Sequence, residues 1–184
     1  MDDYSAQSAA GASPETSMNM LRSKLPPMPS IELLSVDSIE QLAEALPKCT
    51  TYFTLLLAWD APVLDEAQLM SILAPLLDRG LVYLCAWGAR CEDVHDALDS
   101  AVVEKEIASG ELDYVVMTSW HANESLEESV WFFFMLAIPS ETFVFKDFAR
   151  YAVTVGNPEY RQRIGAALLK SEPETDSDAE DLTI

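Results

Sequence analysis

The segment Tyr52–Trp87, YFTLLLAWDAPVLDEAQLMSILAPLLDRGLVYLCAW, decides the fold. Its first seven residues, Tyr52–Ala58, are a continuous apolar run of strand length, the pattern of a strand buried on both faces. Asp65 then opens a helical pattern with Leu69, Ile72, Leu73 and Leu76 on one face, Pro75 as a kink and Gly80 as the stop. Leu81–Trp87 is a second apolar run of the same kind. Two buried strands joined by one helix make a crossover unit, which places the strands parallel.

The same alternation extends in both directions. Upstream, Ile31–Val36 reads as a strand, and Asp37 or Ser38 caps a helix whose Ile39, Leu42, Ala43 and Leu46 share a face until Pro47. Downstream, Glu92–Ala108 is an amphipathic helix and Leu112–Thr118 a further strand. Ser125 and Glu128 form a capping box before a helix through Met135, which carries Trp131, Phe132, Phe133 and Phe134 in succession and, being apolar all round, has a strand as its alternative reading. Thr142–Phe148 and Arg150–Val155 read as late strands whose pattern allows an antiparallel pair, and Asn157-Pro158 starts a helix ending near Lys170. The expectation is an α/β domain of three layers. A largely parallel sheet is flanked by helices, in packing similar to flavodoxin-like or Rossmann-like folds.

The chain has 184 residues, enough for one compact domain. Residues 1–30 read as a flexible leader and 31–170 as the single α/β domain. Residues 171–184 read as a disordered acidic tail with six acids and no base. The formal net charge is -20; setting leader and tail aside, the remaining 22 acids and nine bases still give -13. Such a body lacks the lysines and arginines needed to grip a nucleic-acid backbone or an anionic membrane. The longest apolar run, Val130 to Ile138, falls well short of the roughly 18–20 residues of a spanning helix. The start Met1-Asp2-Asp3-Tyr4 lacks the features of a secretory signal, and three cysteines make no disulfide framework. Together these point to the cytoplasm.

Three strand candidates end alike, in Ala58-Trp59-Asp60, Ala86-Trp87-Gly88 and Ser119-Trp120-His121. In a parallel sheet these ends share the carboxyl edge, where ligands of open α/β folds bind. Trp59, Trp87, Arg90, Trp120, Asn123 and Glu124 are therefore the candidate binding residues. The competing reading is that the tryptophans only cover the top of the core.

Catalytic motifs are sparse. No Gly-x-Gly pair, phosphate-cradling loop or Gly-x-Ser-x-Gly elbow occurs. Cys91 with His121 as nucleophile and base, and Asp60 with His121 as an acid–base pair, are the weak catalytic candidates. Cys91 and His95 lie one helical turn apart but have no convincing second pair of metal ligands, so neither a metal nor another cofactor is expected. Arg150, Arg161 and Arg163 read as partners of surface carboxylates.

The aromatic run makes Trp131, Phe132 and Phe134 candidate interface residues, for a homodimer or a different partner, once the helix has buried what its own domain can cover. The function expected is that of a non-catalytic, acidic interaction protein. It would be an accessory subunit, inhibitor or immunity-type protein docking on a partner that is basic or nucleic-acid-binding. The alternative is a small-molecule or enzymatic domain with a pocket at the strand ends.

Overall fold

The computed structural model describes residues 29–46, 52–110, 114–140, 143 and 148–171. Strands β1 (Ile31–Val36), β2 (Tyr52–Ala58), β3 (Leu81–Trp87), β4 (Met117–His121) and β5 (Phe148–Val155) form one sheet in the order β1-β5-β2-β3-β4. Every pairing is parallel. A 3₁₀ turn at Ile39–Gln41 leads into the short helix α1 (Leu42–Ala45). Helices α2 (Glu66–Asp78), α3 (Cys91–Ser109), α4 (Leu126–Met135) and α5 (Pro158–Ser171) follow.

Alternation along the buried strands sorts the core into two halves. Leu55 and Leu57 of β2, with Leu84 and Ala86 of β3, pack under α1, α2 and α3 together with Leu42, Leu69, Leu73, Val94 and Leu98. Leu56, Ala58, Tyr83 and Cys85 face the other way, onto Leu126, Val130 and Phe133 of α4 and Ile164 and Ala167 of α5. The sheet is thus the middle layer of three, and its central strands are apolar on both faces at most positions, with Thr54, Arg150 and Thr154 the buried polar exceptions among the described residues.

The order has a simple relation to a known one. Moving β5 to the front of the chain turns β1-β5-β2-β3-β4 into 2-1-3-4-5, the flavodoxin-like order. The faces agree with right-handed crossovers: connections running from β1 towards β4 put α1–α3 on one side, and the return from β4 to β5 puts α4 on the other. Neighbouring strands whose following helices lie on opposite faces, β5 and β2 above all, therefore flank the crevice at the carboxyl edge.

Boundaries of β1, β2 and β3 coincide with the apolar runs. The capping boxes at Asp65–Gln68 and Ser125–Glu128 form, each with its reciprocal pair of hydrogen bonds. Two expectations need correction. The fourth strand is Met117–His121 and not Leu112–Thr118, so Trp120 and His121 lie inside it. The segment Arg150–Val155 belongs to one eight-residue strand, parallel to both neighbours. Its expected partner, Thr142–Phe148, lies outside the described residues except for Phe143 and Phe148. Among the described residues, no helix is long and apolar enough to cross a membrane.

Candidate functional site

At the carboxyl edge, the loops after β2 and β3 continue to pair. Trp59 N–H donates to the Trp87 carbonyl at 2.9 Å, and Ala61 N–H to the Ala89 carbonyl at 3.1 Å. Gly88 makes this approach possible: its φ is +115°, and a Cβ there would stand 2.3 Å from the Trp59 carbonyl oxygen. Trp59 is buried over the core, as the covering role requires.

Asp60 projects from the end of β2 into the β5–β2 crevice. One carboxylate oxygen accepts from the Ala89 N–H at 2.9 Å, and the other accepts from the Tyr160 hydroxyl on α5 at 2.5 Å. That bond to the carboxylate, followed by partial burial, holds the Tyr160 hydroxyl above its ordinary pKa. The Tyr160 ring meets Trp87 edge-on, with centroids 5.1 Å apart, and Trp87 Nε1–H donates to the Glu124 carbonyl at 2.9 Å. A belt of Asp60, Tyr160, Trp87 and Glu124 thus spans the carboxyl edge from one sheet face to the next strand ends.

His121, at the end of β4, is buried. Its Nδ1 lies 2.7 Å from Glu124 Oε2, its Nε2 3.3 Å from Ser119 Oγ, and its ring 4.6 Å from that of Phe132. Cys91, the first residue of α3, is also buried, and burial pushes its thiol pKa up despite hydrogen bonds from the His121 and helix-start backbone. The imidazole therefore faces Glu124 and Ser119, while Cys91 meets only the backbone of His121. Cys85 is pushed up further, to about 12, chiefly by desolvation inside the sheet. Neither thiol resembles an activated nucleophile, which needs a lowered pKa.

The remaining candidates separate. Arg90 takes a left-handed conformation before α3 and pairs with Asp93 at 2.6 Å. Asn123 lies exposed in the turn before α4. Trp120 points to the α3 side, half exposed, with its ring 4.4 Å from that of His95. His95 in turn lies beside Asp96 and Asp99. Among the described residues, no three His, Cys, Asp or Glu side chains converge as metal ligands.

On α4, the aromatic run divides by burial. Phe133 is fully enclosed, Phe132 and Phe134 are half-buried, and Trp131 stands 50% exposed. Trp131 and Phe132 line an open concavity of about 680 Å³ with Glu124, Glu127 and Glu128. Glu127 accepts two hydrogen bonds from Arg163, at 2.8 and 2.9 Å, and this pairing lowers its pKa to about 2. Beneath the helix, Arg150 is buried with no carboxylate beside it among the described residues. Its guanidinium donates to the Phe133 and Phe134 carbonyls at the helix C-terminus, where the helix dipole favours a cation.

Residues 31–171 match the model of a family described as a domain of unknown function, DUF7684. The chain belongs to this family. The match begins with β1 and ends with α5, so it covers the whole three-layer unit. No curated protein matches the chain.

The sequence singled out Asp60, Trp87, Glu124 and His121, which the structure brings into one belt, but missed Tyr160 and Ser119. Tyr160 sits in a helix pattern, 100 residues from Asp60, with no motif around it. Ser119 carried a recognisable signal, since strand alternation puts it on the same face as His121, two residues on.

Proposed function

We propose that this chain is a non-catalytic acidic interaction domain of the cytoplasm, docking on a macromolecular partner with a basic surface. The observation that carries the reading is Trp131: a large aromatic left half exposed at the rim of a concavity otherwise walled by Glu124, Glu127, Glu128 and Phe132. Tryptophan, with tyrosine and arginine, is enriched among the residues that dominate binding at the centres of interfaces. A lysine or arginine entering here would lie over the indole, where cation–π attraction and the surrounding carboxylates act together. Among the described residues, Arg163 pairs with Glu127 and Lys170 adds a weaker attraction to it. The formal charge of -20 would steer a basic partner from a distance.

The carboxyl-edge groups lend support from the other side. Asp60 has both oxygens engaged within the protein, and the His121 imidazole is held by Glu124 and Ser119. A reacting substrate would have to displace these contacts.

The test is affinity capture of the full-length protein from its source cells, at low and moderate salt, beside Trp131→Ala and a version ending at Lys170. Any captured partner is then rebuilt from purified components. A stoichiometric partner that is lost with salt and weakened by Trp131→Ala supports the reading. The absence of a partner, together with thermal stabilisation by a metabolite that Asp60→Ala abolishes, would replace it with a ligand-binding function.

A further inference from the structure

Strand β4 closes one end of the sheet, and among the described residues no strand pairs with its outer edge. Edge strands are normally protected by lysines, prolines or bulges, because their free N–H and C=O groups invite another chain. This one has none of these. Residues 114–120, Tyr-Val-Val-Met-Thr-Ser-Trp, carry no charge in a chain that is 23% charged. Val115, Met117 and Trp120 are large apolar side chains exposed along it.

Carboxylates rim both sides of this neutral edge. On the α3 side, Asp99 accepts from Thr118 Oγ1 at 2.9 Å, and Asp96 and Asp99 flank His95 beneath Trp120. On the α4 side, Glu124 holds His121 at the strand end, and Phe132 joins that end to the acidic concavity around Trp131.

From this arrangement we infer that the outer edge of β4 receives an extended, basic segment of the partner as a sixth strand. Main-chain hydrogen bonds to β4 supply the register, as in other strand-addition complexes. Apolar side chains of the added strand cover Met117 and Trp120, and its lysines or arginines reach the rim carboxylates on both faces. A second copy of this chain is the poorer occupant, because it would bring the same carboxylates against themselves. The inference rests on the reading of the chain as a partner of basic proteins, and it adds the surface and the mode of docking.

The test uses two peptides with the unmodified full-length protein. One alternates lysine and valine over twelve residues; the other has proline in place of each valine, so it keeps the charge but cannot complete a strand ladder. Expected are binding of the valine peptide about tenfold or more tighter than the proline peptide, and slowed amide exchange within 115–121. Met117→Lys, an exposed change, weakens binding about tenfold while leaving the circular dichroism spectrum unchanged; Trp120→Ala is the second variant, should the first perturb folding. Equal binding of the two peptides, or protection confined to other segments, overturns strand addition but leaves the basic-partner reading standing. No binding of either peptide at low salt overturns both. A dimer of the unliganded protein with β4 already protected overturns the inference in favour of a second copy.

Discussion

The hydroxyl of Tyr160 donates to Asp60 Oδ2 across the crevice between β5 and β2, joining residues 100 positions apart. The sheet order makes this crevice the counterpart of the ligand site in flavodoxin-like sheets. Here a tyrosine from α5 and the Ala89 N–H take up the carboxylate that would otherwise greet a ligand, and Trp87 closes over the tyrosine. The polar groups of this edge are engaged with one another, and exposed aromatic and acidic side chains lie around α4 and β4.

Removing the tyrosine hydroxyl isolates this contact. Tyr160→Phe is expected to lower stability by about 1 kcal/mol, the usual net value of one hydrogen bond, in urea unfolding with an unchanged m-value. The raised Tyr160 pKa also has a pH signature. Stability from this bond is complete below the unfolded tyrosine pKa near 10 and is lost as pH rises through the higher folded value. Wild type and Tyr160→Phe should therefore converge in stability at strongly alkaline pH; a constant gap would contradict the assignment.

Gly88→Ala places a methyl group 2.3 Å from the Trp59 carbonyl, on a backbone with φ of +115°. The paired loops must separate, and the expected cost is about 3 kcal/mol. Thermal unfolding reads it directly. A loss under about 1 kcal/mol would mean that the loops yield more easily than their hydrogen bonds suggest.

Glu127 titrates near 2 because of Arg163. Its contribution to stability is present above the unfolded value of 4.5 and is lost as pH falls towards 2. Both side chains are partly exposed to solvent, which screens the pair, so it is worth less than about 1 kcal/mol. The sharper readout is carboxyl NMR: Arg163→Ala should return Glu127 to the ordinary carboxylate range.

Cys85 and Cys91 are both buried, with thiol pKa values pushed up by desolvation. Iodoacetamide at mildly alkaline pH should leave both unmodified in the native protein and label both after denaturation, as read by mass spectrometry. Rapid native labelling of Cys91 would restore it as a candidate nucleophile.

The fold was legible where burial dominates the pattern. Tyr52–Ala58 and Leu81–Trp87 are apolar at every position but Thr54 because helices cover both faces of the central strands, and runs of seven such residues bounded by turn signals have the length of strands rather than helices. The edge strand β4 was misplaced for the complementary reason. Half exposed, it mixes Met117 and Trp120 with Thr118 and Ser119, so its pattern does not stand out from the preceding Leu112–Val116. Strand order depends on which face each crossover takes, and no local residue pattern carries that. The belt at the carboxyl edge was half visible: Asp60 and Trp87 follow from strand ends, whereas Tyr160 reaches them only through the placement of β5 beside β2.

The most direct test of the central claim is calorimetry of the reconstituted complex over a series of salt concentrations. An acidic surface closing on a basic partner predicts affinity that falls steeply with ionic strength, and a further loss with Trp131→Ala at every salt. Affinity independent of both salt and Trp131 would contradict it.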